Sequence, residues 1–517
     1  MLPDRSRFDA VVIGAGHNGL VTAAYLARAG VDTLLIEARS SVGGTAASEE
    51  FAGATVNICN CDHLTFRTTP VADELGLADH GLEYIDLEPR QHNAAWSSVG
   101  DGRLWSTYAD VLETADEIAR FSPADANAYR RFVEAARPVV ELILDAANEP
   151  PTISGLTKRT LRRRGRGVAR LLAWSRRSAH DVLASYFSSP EVAATGAATG
   201  PMVWGISPQL PGTGLGALTH AMRHVARVGR PVGGSGALTE ALRSAYETDG
   251  GQLALDTKVT EIRCDADRVV GVSVSGGEGE SVEIDAPIVV SACNPHDTFL
   301  RWLSHPPADA ARLIERWRGV PHADGYESKL DVVLAVEPRL RGVDRPLGPT
   351  TVIAPSLDDI HDAAQLMSSG GVHERPAFLV NVPTAVDPSM APDGQHVLSI
   401  EALFTPYARP GGWGRDDEPR RWLDLFASVC EPGLLDSIVD WRAMTPDRYE
   451  SEFHLPAGHA TSFGGGPLAA LRNPNPELTK YETAVPGLYL TGAATFPGAG
   501  VWGASGRNCA AVVLQRS

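Results

Sequence analysis

Three glycines and one carboxylate near the start of the chain have the types and spacing to hold a dinucleotide. Gly14, Gly16 and Gly19 stand in Phe8-Asp-Ala-Val-Val-Ile-Gly-Ala-Gly-His-Asn-Gly-Leu20, directly after the apolar run Ala10 to Ile13. Gly14 permits a tight turn, Gly16 lets the backbone approach a pyrophosphate, and Gly19 lets a helix pack on the strand. The helix start offers unpaired N–H groups and the positive end of its dipole to the phosphates. A helical segment from Leu20 to Ala29 ends at Gly30, and a second strand, Thr33 to Ile36, runs into Glu37. That carboxylate is placed to accept both hydroxyls of an adenosine ribose, and a 2′-phosphate there would be repelled, so FAD or NAD fits and NADP does not.

The next residues extend the same chemistry. Gly43 and Gly44 permit close backbone approach, and Arg39 can meet the adenosine and phosphates, although read alone it is a surface arginine. Far away, Pro486 to Asn508 repeats the device: a strand, a glycine-rich loop, another helix start. Two anion-facing devices at opposite ends of one chain must converge on something long, and FAD is long enough.

The elements that position these residues are bounded by composition. A chain of 517 residues with 43% hydrophobic content implies two or three domains and ample interior for a cofactor. A net charge of −17 argues against nucleic acid as a partner, which requires an electropositive face. The six cysteines, at 59, 61, 264, 293, 430 and 509, form neither a disulfide framework nor a paired metal spacing, so no metal is expected and a reducing cytoplasm is the natural setting. Met1 to Arg7 is polar, and no signal peptide or 18-residue apolar run is read.

Residues 1–68, 231–300 and 480–517 are expected to form a discontinuous FAD-binding domain. Residues 69–230 and 301–479 form the substrate or cap domain. Within the first, a helix from Gly233–Leu238 to about Glu247 leads into strands Gln252 to Leu255, Lys258 to Arg263, Val269 to Ser275, Val282 to Ile284 and Ile288 to Ser291, a β-meander on a parallel sheet. The glycines at 212–216 and 233–236 lack the βαβ context of a second nucleotide site. The cap contains a helix from Ala124 to Ala147, strands Leu330 to Val336, Ala377 to Val382 and His396 to Leu403, and a helix near Pro419 to Cys430. Lys158 to Arg177 carries nine Lys or Arg and no acid, interleaved with Leu161, Val168, Leu171, Leu172 and Trp174. Such a segment can lie on an anionic membrane surface, or form a solvated face or lid.

At Val12-Ile-Gly-Ala-Gly-His-Asn-Gly-Leu-Val21, Glu37-Ala-Arg-Ser-Ser-Val-Gly-Gly-Thr45, Gly233 through Val259, and Gly487 to Asn508, the chain resembles the phytoene desaturase-like flavoproteins. It looks most like their GHNGL branch, within the wider group of amine oxidases and GDP-dissociation inhibitors. The resemblance implies an α/β fold, with a Rossmann-like FAD-binding domain of glutathione-reductase type and an inserted α+β substrate domain. It implies that Gly14, Gly16 and Gly19 hold the pyrophosphate, Glu37 the ribose, Arg39 the adenosine side, Gly44 and Thr45 the flavin-proximal phosphate region, Val259 the adenine through its backbone, and Gly492 and Ala493 the ribityl and phosphate. A helix opening after Gly500 at Val501 would point its N-terminus at the flavin carbonyl. One departure stands out. Many relatives carry Gly-Asp where Thr491-Gly492-Ala493 stands here, so a carboxylate contact to FAD is missing.

Flavin takes a hydride from a C–H bond, and the protein binds, orients and excludes water. The expected function is therefore an FAD-dependent oxidoreductase, a desaturase or dehydrogenase, that removes hydride from a lipophilic, isoprenoid-like small molecule. An amine oxidase acting on a polar amine and a non-catalytic GDP-dissociation-inhibitor-like binding protein are the alternatives. Neither a nucleophilic triad nor HExxH stands in the chain. His459, in a glycine-flanked stretch, and His63, after Cys61-Asp62, are candidates for acid or base, although each read alone is more often a satisfied structural histidine. The electron acceptor, whether oxygen, a quinone or another, and the oligomeric state carry no sequence signal. NAD as acceptor has no second fingerprint to bind it.

Overall fold

Apolar runs without alternation must be covered on both faces, and Ala10–Ile13, Thr33–Ile36 and Ile288–Ser291 are such runs. In the computed structural model, which describes residues 5–516 apart from 60–61, 201–202, 204, 277–280, 322–323, 416, 461 and 465, they lie at the centre of a five-stranded parallel sheet. Its order is Leu488–Leu490, Ile288–Ser291, Ala10–Ile13, Thr33–Ile36, Gln252–Ala254. Cys61 is outside the described residues. The pleat divides the strands between two cores. Ala10, Val12, Leu35 and Val290 face the helices His17–Arg28, Gly236–Thr248 and Ala504–Arg516. Val11, Ile13, Leu34, Ile36 and Val289 face the antiparallel meander Lys258–Cys264, Val269–Ser275, Ser281–Asp285.

A second sheet of seven strands is built from the intervening chain, in the order Ile438–Met444, Glu327–Leu334, His396–Leu403, Phe378–Asn381, Thr350–Ala354, Gln91–Ala95, Trp105–Thr107. Every neighbour pair is antiparallel except Thr350–Ala354 with Gln91–Ala95. One face carries Leu330, Val332, Ile353, Phe378, Val380 and Ile400 and packs on Trp422, Leu423 and Phe426 of the helix Asp417–Ala427. The opposite face is polar yet buried. Lys329 pairs with Glu401, and Asp331, Ser399, Asn381 and Thr350 run across adjacent strands, each no more than 5% exposed. A helical layer covers the edge of this sheet. Its long helix Pro123–Ala147 is capped by Ser122 and contributes Tyr129, Phe132 and Val140 to a core that also takes in Trp174, Phe187, Val352 and Trp502.

Several boundaries differ from the sequence expectation for identifiable reasons. The first helix begins at His17 rather than Leu20, because Gly16 is its cap. The closing helix begins at Ala504, not Val501, since Gly500 and Gly503 hold φ of +96° and +69°, left-handed values that a right-handed helix cannot contain. The basic stretch is two short helices, Ile153–Arg162 and Val168–Trp174, parted where Arg164, Gly165 and Gly167 take positive φ.

Candidate functional site

A cavity of about 470 Å³ opens along the carboxyl edge of the parallel sheet, with Gly14, Glu37, Ala292 and Gly492 at four strand ends. This edge is where open α/β sheets bind ligands. The glycines there do different work. Gly14 has φ +94°, and a Cβ on it would sit 2.9 Å from Cys293 Sγ. A Cβ on Gly19 would run into the Gly14 carbonyl oxygen, so Gly19 is required by helix–strand packing. A Cβ on Gly16 would meet no protein atom within 4 Å; its missing side chain keeps the cavity wall open at the helix start.

The Glu37 carboxylate is fixed by backbone donors, accepting from Ala15 N–H at 2.7 Å and Arg39 N–H at 2.9 Å. The Arg39 guanidinium lies over the Phe453 ring at 3.9 Å and donates through Nη2 to Glu49 at 2.6 Å. Its Nη1 is buried and has no hydrogen-bond partner among the described residues. A buried donor in this state costs free energy on the order of 1–3 kcal/mol until an acceptor reaches it.

The two ends of the chain meet at this cavity. His17 lines it and is hydrogen-bonded to the Gly500 backbone, and Asn18 Nδ2 lies 3.0 Å from His17 Nε2. Thr22 donates to the Gly506 carbonyl at 3.0 Å, and Gly506 N–H to Asn18 Oδ1 at 3.3 Å. Burial lowers the His17 pKa to about 4, only partly opposed by the Gly500 bond, so the imidazole is neutral at physiological pH. Sequence reasoning does not single out His17, although it sits inside the glycine fingerprint.

Of the residues singled out from the sequence, Gly14, Gly16, Gly19, Glu37, Arg39, Gly43, Gly44, Thr45, Val259, Gly492, Ala493 and His459 line the cavity. Gly500 and Val501 do not. Gly500 is tied to His17, and the Val501 carbonyl accepts from Thr65 at 2.8 Å. His63 is also elsewhere. It is wholly buried, with Nδ1 2.8 Å from Tyr84 Oη and Nε2 3.1 Å from Ser235 Oγ, and burial lowers its pKa to about 3. Both nitrogens are engaged in holding the fold, and none of its bonds reaches the cavity.

His459 is packed edge-on against Tyr326, ring centroids 4.8 Å apart. Tyr326 precedes Glu327, whose carboxyl also accepts from Cys59 Sγ at 3.5 Å. Burial pushes the Glu327 pKa up to about 7, against the opposing hydrogen bonds from Cys59 and Tyr326 and the charge of Lys329. Sequence reasoning misses Glu327 because it finds the strand from its apolar end. The signal that could reveal it is the alternation Glu327, Lys329, Asp331 with Ser328, Leu330, Val332. Beside Thr350 of the seven-stranded sheet, burial would raise the Asp62 pKa, but Arg230 and Arg223 outweigh it and hold the carboxylate ionised. Arg230 bonds Asp62 at 2.9 Å and also reaches Asn381. Among the described residues no cluster of three or more His, Cys, Asp or Glu could hold a metal.

Comparison with known proteins places this geometry. The family model for flavin containing amine oxidoreductases matches residues 19–514. The chain is 30% identical to the rat (Rattus norvegicus) pyridine nucleotide-disulfide oxidoreductase domain-containing protein 2, covering 99% of this chain and 94% of that one. It is 28% identical to a limonene dehydrogenase subunit of Castellaniella defragrans, covering 98% and 94% respectively. A lycopene-forming phytoene desaturase of Pantoea ananas is 26% identical, with 96% of each chain covered.

Proposed function

Because the chain belongs to the flavin containing amine oxidoreductase family and is an FAD-dependent oxidoreductase, we propose that it dehydrogenates a lipophilic small molecule, taking hydride from one carbon and a proton from its neighbour. The residues present fit FAD. The orphaned Nη1 of Arg39 awaits an acceptor, Gly16 leaves the helix start bare, and Glu37 has both carboxylate oxygens oriented by backbone N–H groups. Gly14, Gly16 and Gly19 would hold its pyrophosphate, Glu37 and Arg39 its adenosine half, and Gly44, Thr45, Gly492 and Ala493 the remainder. When bound, FAD supplies the hydride acceptor.

The chain's own part is positioning and proton transfer. His459, one of the imidazoles that line the cavity, is assigned the proton; its ring packs on Tyr326, which precedes Glu327 in the chain. The observation that carries the lipophilic reading is the similarity over nearly the whole chain to a limonene dehydrogenase subunit and a phytoene desaturase, whose named substrates are hydrocarbons. The cavity-lining residues beside His459 in the chain agree with it, since Pro456 and Ala460 are apolar.

The test is anaerobic mixing of the flavin-loaded protein with terpenoid hydrocarbons and, separately, with amines. Bleaching of the flavin by a hydrocarbon and not by amines is expected. Bleaching by amines alone would replace this reading with amine oxidation.

We also propose that residues 158–177 rest on an anionic membrane. Ile153, Leu161 and Leu172 are 74%, 72% and 41% exposed beside Lys158, Arg164 and Arg166, none of which has a carboxylate partner among the described residues. No helix of the described residues is long and apolar enough to cross a membrane, so contact would be at its surface.

A further inference from the structure

Arg39 does not stand alone at the adenosine end of the cavity. Its Nη2 bonds Glu49 Oε1 at 2.6 Å, and Glu49 Oε2 is bonded at 3.2 Å by Nη1 of Arg442. Arg442 Nε in turn reaches Asp331 Oδ2 at 3.1 Å. Asp331 is wholly buried and is bonded by Lys329, whose Nζ also donates to the Asn57 carbonyl at 2.6 Å. Five alternating charges therefore run without a gap from the dinucleotide cavity to the buried polar face of the seven-stranded sheet. Glu49 belongs to the hairpin Ser48–Phe51 and Ala54–Asn57, while Arg442 and Asp331 belong to adjacent strands of the seven-stranded sheet.

This relay holds three cations and two carboxylates, and at its inner end Lys329 also faces Glu401 across the sheet and the charge of Glu327. Arg39 Nη1 and Arg442 Nη2 are buried donors without partners among the described residues, and of the two guanidiniums Arg39 lines the cavity. Phe453 and Phe51 lie against the faces of Arg39 and Arg442 at 3.9 and 5.1 Å. Stacking and carboxylate bonds together leave Arg39 little freedom except to present Nη1 to a ligand.

We propose that Arg442 and Glu49 are positioning residues for the adenosine half of FAD, acting through Arg39, so that cofactor affinity depends on the seven-stranded sheet being seated against the nucleotide domain. The inference rests on dinucleotide binding at this cavity, which the unmodified protein reports separately.

The experiment is calorimetric titration of the flavin-stripped 517-residue chain with FAD and with ADP, which carries the adenosine and pyrophosphate without the flavin. Arg442→Met is expected to weaken FAD and ADP by the same factor, about tenfold or more, and Arg442→Lys to recover part of the loss. In an Arg39→Met background, Arg442→Met is expected to cause no further loss, since both changes cut one path. Additive losses in that double variant, or a lowered melting temperature with unchanged ADP affinity, would overturn the proposal and leave the charges as cement between layers. Should Arg442→Met fail to fold, Glu49→Gln tests the same link from the hairpin side. If the unmodified protein binds neither FAD nor ADP, the cavity assignment itself fails.

Discussion

Gly16 and Gly19 belong to one fingerprint yet should respond oppositely to a side chain. A Cβ at Gly19 collides with the Gly14 carbonyl, whereas a Cβ at Gly16 projects into open space at the cavity wall. Gly19→Ala is therefore expected to destabilise the fold by about 1–3 kcal/mol, as overpacking does. Gly16→Leu is expected to keep the melting temperature of the flavin-free protein and weaken FAD about 100-fold, roughly 2.7 kcal/mol. Parallel thermal melts and FAD titrations check both, and a stability loss at Gly16 with affinity intact would reverse the assignment. The fingerprint is legible in the sequence because each glycine and Glu37 answers a steric or charge demand set by local spacing. Glu327 is not. Its raised pKa comes from burial, opposed by Cys59, Tyr326 and Lys329; Tyr326 and Lys329 are neighbours in the chain, but the burial and the contact with Cys59 are made by packing that no local window contains.

The strands of the parallel sheet are legible for a different reason: Ala10–Ile13, Thr33–Ile36 and Ile288–Ser291 are short apolar runs ended by glycine, glutamate or alanine. The strand Glu327–Leu334 reads three residues late, because three charged side chains lie on its buried face, where burial is sustained only by pairing across the sheet. Nor does any local pattern reveal that Gln91–Ala95 lies parallel to Thr350–Ala354. The basic pair of helices shows the same limit. Its cations are plain in the sequence, while the structure shows that Arg159, Arg162 and Arg163 are already engaged by Glu141, Asp145 and Glu149. Only the remainder can meet lipid. In vesicle flotation, binding to anionic vesicles and not to neutral ones is expected. Arg164→Glu with Arg166→Glu should reduce it at least thirtyfold, at ~1 kcal/mol for each cation lost near the surface, and Leu161→Asp should reduce it further. Equal binding to neutral vesicles, or no effect of the charge reversals, would contradict the membrane assignment.

Across the whole molecule, several histidines are locked neutral. Burial lowers His17, His220 and His224 to about 4, and His63 and His92 to about 3. Their folded pKa values lie below the unfolded value, so unfolding takes up protons as the medium is acidified. The stability they contribute is complete above about pH 6.5 and falls as pH drops toward 4 and then 3, by ~1.4 kcal/mol per histidine per pH unit within that window. Urea unfolding followed from pH 7.5 to 5 should show a midpoint that declines steeply below 6.5; a flat profile would mean that these imidazoles are accessible to protons in the native state. This cost falls on both large sheets' surroundings, because His17 sits beside the parallel sheet where the two chain ends meet and His92 lies in the seven-stranded sheet. Those two ends are expected to converge on one FAD. Spectrophotometric titration of the flavin-free chain with FAD tests it most directly when Gly16→Leu and Ala493→Leu, at opposite ends of the sequence, are titrated beside the unmodified protein. One flavin per chain is predicted for the unmodified protein, with affinity lost in both variants. Saturation untouched by either substitution, or a chain that takes up no flavin at all, would contradict it.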